Sequence, residues 1–342
     1  MCEARRCLRF LPSPDGKAPN EALRFEFEVR GLNLPVRKPA SGKELVNPSA
    51  KGKTVTVVIC TRNRPVLLQR CLSAIAKLCP PPDEILVVDN SEGNRETRKV
   101  ANDYGARYVV EPVTGLSRAR NRGLVECNSQ VVAFLDDDVT PAADWLGLLL
   151  SPFADELTGA SAGRVITPAD LPALGDHQSV PRILSNKDPH WFEIATFGGL
   201  GLGANMALRR SACTHRMFFD ERLGRGAPFE IGEESYAFAW LLAHGYRVAY
   251  LPSAVVYHPP LSRTAIEREA RNSFTYWLLL FREFPGQRMN LVRFLTRRLR
   301  GKSLDWPRNP QEPGEIVSSS WRIKIKAAWS GLILFLRTPR PR

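Results

Sequence analysis

The chain has 342 residues, 44% hydrophobic and 24% charged, the composition of an ordinary globular protein with room for one large α/β domain and flanking segments. Its net charge of +13 divides into +5 over residues 1–53, −3 over 54–258 and +11 over 259–342. A slightly acidic body excludes the cation-lined cleft of a nucleic-acid enzyme, and the basic flanks fit an anionic membrane surface better.

Seven cysteines (2, 7, 60, 71, 79, 127 and 213) form no CxxC pair, and the N-terminus carries no apolar stretch of the signal-peptide kind. Reduced thiols in a cytoplasm are the expectation. No run approaches the about 20 apolar residues that span a bilayer.

Residues 1–53 mix Pro, Gly, Lys and Ser around one strand pair near Leu23–Val29 and read as an N-terminal extension. Thr54–Cys60 (TVTVVIC) is a β-branched apolar run suited to a buried parallel strand. Pro65–Leu78 places Leu67, Leu68, Cys71, Leu72, Ile75 and Leu78 at helical spacing, and Pro80–Pro82 ends it. Strands at Glu84–Val88, Arg107–Val110 and Val131–Leu135 then alternate with helices at Glu96–Tyr104 and Ser117–Cys127. Such alternation predicts βαβ units and a parallel sheet.

Beyond Leu150 the alternation weakens. Residues 168–190 read as a long loop, 198–210 are Gly-rich, 233–244 predict a helix, and Tyr246–Leu251 and Ala254–Tyr257 predict short strands. Basic amphipathic helices follow His258. Phe274, Trp277, Leu278 and Phe281, then Leu291, Phe294 and Leu295, form apolar clusters among Arg282, Arg288, Arg293, Arg297, Arg298 and Arg300. Two readings stand: helices that close the catalytic domain, or a peripheral contact with an anionic membrane.

In open parallel sheets ligands bind outside the carboxyl ends of the strands. Those ends carry Thr61, Arg62 and Asn63, then Asp89, Asn90 and Ser91, then Asp136, Asp137 and Asp138, all on one edge of the sheet. Three adjacent carboxylates repel one another and are tolerated best around a divalent cation, Mg²⁺ or Mn²⁺ shared with diphosphate oxygens.

With these pieces in place, TVTVVICTRNRPVLLQRCL, EILVVDNSEGN, GLSRARNRGL and FLDDDVTPAADWL, in that order, resemble the family-2 glycosyltransferases of the GT-A fold. The resemblance implies an α/β fold of GT-A type: a mostly parallel Rossmann-like sheet flanked by helices, here followed by a basic helical C-terminal region. It divides the chain into an extension (1–53), a GT-A domain (54–258) and that C-terminal region (259–342). It further implies that Thr61, Arg62 and Asp89 hold the nucleoside, with Arg120 and Asn121 beside the nucleotide. Asp136 would face ribose and metal, Asp137 would lie with the nucleotide-sugar, and Asp138 would chelate the metal. GGLGLGANMALRR resembles the loop facing donor sugar and acceptor, with Gly199, Gly201 and Asn205. GEESYAFAWLLAHGYRVAYLPSAVVYH resembles the helix that supplies the base, then a strand ending in a further metal ligand, His258. The family usually has Glu-Asp where this chain has Glu233-Glu234, so both carboxylates are candidates for the base, with Glu234 at the position of the usual Asp. The partners so implied are a nucleotide-diphosphate sugar, a carbohydrate or lipid-linked acceptor and no nucleic acid.

Two rivals are weighed. Gly199, Gly201 and Ala204 fit the GxGxxA of nicotinamide oxidoreductases, but PHWFEIATF upstream makes a poor buried strand, and Ala204–Arg210 a short helix at best. A non-catalytic adaptor of the same fold, held on membranes by its basic tail, is the other; retention of all three aspartates and of Glu234 speaks against it.

Overall fold

The computed structural model describes residues 53–167, 180–197, 199–213, 218–259, 266–299 and 321–339. The expectations for residues 1–52 and for 168–179 of the long loop lie outside them.

The first half follows the apolar runs. Strands β1 (Val55–Thr61), β2 (Glu84–Asp89), β3 (Arg107–Val110) and β4 (Val131–Asp136) are parallel, in the order β3-β2-β1-β4. Helices α1 (Pro65–Ile75), α2 (Arg95–Asp103) and α3 (Leu116–Glu126) connect them. Pro65 opens α1, where its missing N–H is not needed, and the Asn94 side chain caps α2 by accepting from Thr97 N at 2.9 Å. Thr61 pairs with Asp89 and Cys60 with Asp136, so the polar strand ends stand side by side.

The second half turns the sheet around. β5 (Thr140–Pro141) and α4 (Trp145–Leu150) lead to β6 (Thr158–Ile166), β7 (Arg182–Leu184), α5 (Trp191–Thr196) and β8 (Asn205–Arg209). Then come α6 (Glu233–Ala243) and β9 (Arg247–Tyr257), and after them α7 (Ile266–Glu283), α8 (Arg288–Leu299) and α9 (Trp321–Arg337). The sheet runs β3-β2-β1-β4-β8-β6-β9-β5, with β7 also on β9. β8 is antiparallel to both β4 and β6, while β6 and β9 are parallel.

Several expectations change here. Residues 205–209, read as part of a short helix, are the fully buried strand β8, because two neighbouring strands satisfy a backbone that good helix formers would otherwise coil. PHWFEIATF, expected to make a poor buried strand, holds the helix α5. The two short strands before His258 are one, β9, which passes through Pro252 opposite a register shift at Gly163/Arg164. β6 had no apolar run to announce it. Its small residues are obligatory: a Cβ on Gly163 would collide with the Ala254 carbonyl and the Asn205 amide.

Alternate strand residues feed two cores, Val58, Val88, Phe134 and Met206 on one face, Val57, Ile59, Val87 and Leu135 on the other. Tyr276, Leu279, Leu280 and Leu291 of α7 and α8 belong to the first core, against which Trp277 and Leu295 also pack. The apolar clusters noted in that region therefore point largely inward. The closing-helix reading describes them better than membrane contact does.

Candidate functional site

The three aspartates after β4 have different surroundings. Asp137 is wholly buried; Thr61 Oγ1 donates to its Oδ2 at 2.5 Å and Arg64 Nη2 lies 2.6 Å from its Oδ1. Burial pushes this carboxyl up to about 6, with Arg64 and Thr61 holding it back. Its neighbours keep some access to solvent, the Asp136 side chain at 27% and that of Asp138 at 11%. Asp137 thus anchors the ends of β1 and β4, while Asp136 and Asp138 face the cleft.

β9 delivers His258 to the same place. One ligand atom each from Asp136, Asp138 and His258 lies within 4.8 Å of the others. His258 Nδ1 is 2.5 Å from the Pro259 carbonyl, a contact that puts a proton on Nδ1, so that in the neutral ring Nε2 carries the lone pair, 3.4 Å from Asp138 Oδ1. That Asp138 oxygen is buried without a hydrogen-bond donor among the described residues. Two carboxylates, one with an orphaned oxygen, and an imidazole lone pair fit a divalent cation.

Arg120 projects from α3 and is 2% exposed. Its Nη1 is 2.6 Å from Glu233 Oε1, its Nη2 3.5 Å from Asp136 Oδ1, and its guanidinium lies 5.7 Å from the Phe219 ring centroid. A Cβ on Gly203 would come within 2.7 Å of Nη2, so the Gly-rich segment contributes a surface without side chains against this arginine. Glu233 and Glu234 open α6, whose N-cap Gly232 has φ +80° and lies against the Tyr276 ring. Burial, and then the charge of Glu233, push the Glu234 carboxyl up to about 8 against the pull of Arg120. Tyr276 is buried with its hydroxyl unpaired among the described residues.

A cavity of 140 Å³ opens beside these groups, lined by Cys60, Thr61, Arg62, Arg64, Asn90, Thr114, Asp136, Arg225 and others. Of the residues singled out from sequence, Thr61, Arg62, Asn90 and Asp136 reach it. Asp89 is fully buried and accepts from Ser91 Oγ (2.7 Å), Asn94 N (2.8 Å) and Tyr108 Oη (2.5 Å), and Asn90 lines the cavity in its stead. Asn121 clasps the Phe219 backbone, donating to its carbonyl and accepting from its N–H, both at 2.8 Å. Asn205 is a core residue that accepts from Trp145 Nε1 at 2.7 Å and donates to the Arg164 and Ala254 carbonyls. Gly199 and Gly201 pack against Ile194 and Ala162.

Sequence reasoning missed Arg64, Gly203, Arg225 and Tyr276. Arg64 had a local signal in the strand-end segment TRNR, and Gly203 in the Gly-rich segment GGLGLGANMALRR. The others arrive through tertiary contacts.

Residues 56–216 match the family described as Glycosyl transferase family 2. The chain is 29% identical over 267 residues to the pre-mycofactocin glycosyltransferase of Mycobacterium tuberculosis, covering 74% of this chain and 53% of that protein. It is 28% identical over 259 residues to the succinoglycan biosynthesis protein ExoM of Rhizobium meliloti, covering 68% of this chain and 77% of ExoM. The chain thus spans about half the length of the first of these relatives. Among solved structures, the mannosyltransferase PcManGT of Pyrobaculum calidifontis, in complex with GDP-Man and Mn²⁺, superposes with a TM-score of 0.52 at 18% identity over 82% of this chain and 74% of that one. S. aureus TarS in complex with UDP gives 0.53 at 14% identity over 72% of each chain. At these identities the likeness is one of fold, and it is the GT-A type α/β arrangement expected from the motifs.

Proposed function

We propose that this chain, whose residues 56–216 match the family described as Glycosyl transferase family 2, moves a sugar from a nucleoside-diphosphate donor to a hydroxyl of a carbohydrate or lipid-linked acceptor, with inversion. Synthesis of cell-surface polysaccharide or glycolipid, on the cytoplasmic side, is the proposed setting, in keeping with the succinoglycan relative.

One observation carries this reading. Asp136, Asp138 and His258 converge on one side of Arg120, and Glu233 and Glu234 stand on the other. Thr61, Arg62, Arg64 and Asn90 line the cavity proposed for the nucleotide. Asp136, Asp138 and His258 would hold Mg²⁺ or Mn²⁺, which when bound offsets the charge on the diphosphate.

Glu234 is the proposed base. Glu233 is committed to Arg120, whereas the raised affinity of Glu234 for protons suits a group that must take one near neutral pH. In a single displacement the acceptor oxygen bonds to the anomeric carbon as the bond to the diphosphate oxygen breaks, and the hydroxyl proton passes to Glu234. The test is release of nucleoside diphosphate from UDP-, GDP- and dTDP-sugars with Mn²⁺, with and without oligosaccharide or polyprenyl-linked acceptors. No release from any donor would overturn the assignment and favour a non-catalytic role.

A further inference from the structure

We propose that the outward face of α9 docks on an anionic lipid surface. This proposal rests on a different part of the molecule from the catalytic reading and stands apart from it.

In α9, Ile325 is 51% exposed, Trp329 64%, Ile333 45% and Leu336 72%. Their spacing of four, four and three residues puts all of them within about 80° of arc on a helix that turns about 100° per residue. The opposite face is committed to the protein. Ala327 is 4% exposed, Gly331 is buried, and Leu334 and Phe335 pack against the core. A Cβ on Gly331 would lie 3.0 Å from Phe274 and Thr275 of α7, and Arg282 stacks over the Phe335 ring with its carbon 4.6 Å from the centroid. This close approach fixes the rotation of α9, so the stripe faces outward because the inner face is seated.

Charge selects the occupant. From Trp321 to Arg337 the sequence holds Arg322, Lys324, Lys326 and Arg337 and no Asp or Glu, within a region of net charge +11. A second copy of this segment, which is cationic and carries no acid, would set positive charge against positive charge. Residues 1–53, at net +5, would also bring positive charge to positive charge. An anionic lipid surface supplies the opposite sign together with an apolar phase for the four side chains, and Trp is a side chain suited to the headgroup boundary. Among the described residues no helix is long and apolar enough to cross a membrane, so α9 would lie in the interface plane.

The experiment is sedimentation of the full chain with vesicles of phosphatidylcholine alone, and of equal parts phosphatidylcholine and phosphatidylglycerol. Sedimentation is expected only with the second, with release at about 1 M salt, where the screening length falls to about 3 Å. Trp329→Glu with Ile333→Glu should lower partition by roughly tenfold or more while leaving thermal unfolding unchanged, since both side chains lie outside the core. In wild type, brominated phosphatidylglycerol should quench fluorescence that Trp329→Phe lacks, which tests the contact without depending on the double variant. Equal sedimentation with both vesicles, none with either, or unaltered binding by the double variant would overturn the proposal. So would a wild-type dimer that Ile333→Glu dissolves without any lipid binding, which would assign the stripe to a second copy.

Discussion

Arg120 Nη1 stands 2.6 Å from Glu233 Oε1 while Nη2 of the same guanidinium faces Asp136 at 3.5 Å, so one buried cation ties the start of α6 to the end of β4. Removing it strands the buried Glu233 carboxylate. Arg120→Met should therefore destabilise the protein by about 3–5 kcal/mol, read by denaturant unfolding. Arg120 also opposes the upward shift of Glu234, so the acid limb of the pH–rate profile should move to higher pH in any folded Arg120 variant. An unmoved limb would separate Arg120 from the base.

Glu234→Gln keeps the shape and removes the proton acceptor. Turnover should fall by about 10²–10⁴-fold with donor binding retained. The wild-type rate should rise with pH through a group near 8, and the variant should lose that rise. Stability should show the opposite trend. The folded state holds the Glu234 proton more tightly than the unfolded chain, so wild type loses stability as pH climbs from the ordinary carboxylate range through about 8. Unfolding of wild type and variant across that window checks the sign. A larger rate loss in Glu233→Gln would move the base to Glu233.

Metal dependence is tested twice over. Chelation by EDTA should abolish turnover and Mn²⁺ should restore it. Asp138→Asn should weaken Mn²⁺ binding in calorimetry, and His258→Gln should weaken it by about 10-fold or more. Full activity in EDTA would discard the site.

Asn205 is expected to behave as a structural residue. Asn205→Ala leaves Trp145 Nε1 and the carbonyls of Arg164 and Ala254 without their partner. Each buried group left unpaired costs about 1–3 kcal/mol, so a loss of at least about 3 kcal/mol is expected, with a lowered melting temperature. A stable variant that fails only in catalysis would return Asn205 to the donor loop.

The first half of the fold was legible because β1, β2 and β4 are buried on both faces and must be written as unbroken apolar runs. β6 and β8 escaped notice for the opposite reason. β6 is built of small residues for close approach, as at Gly163, and smallness carries no periodicity, while Met206, Ala207 and Leu208 of β8 are good helix formers. In the candidate site, Thr61, Arg62, Asp136, Asp138 and His258, proposed from strand ends and motif order, lie at the cavity or in the Asp-Asp-His cluster. Asp89, Asn121 and Asn205 stand in motif positions, yet their side chains are engaged by the protein's own groups. Whether a polar side chain is already satisfied depends on contacts 5 to 98 residues away, as in the bonds of Asp89 to Asn94 and Asn121 to Phe219, which a linear motif does not encode.

The last recognised motif residue is His258, but the apolar interior runs on into α7 and α8. Tyr276 closes over Gly232 at the head of the carboxylate helix, and Leu279, Leu280 and Leu291 fill space beneath it. A shortened chain ending at Pro259 would keep every motif yet leave that wall bare, so its failure to stay soluble would say nothing about the chemistry. The minimal folding unit outreaches the minimal catalytic signature, and truncations meant to isolate the enzyme should retain at least residues 266–299.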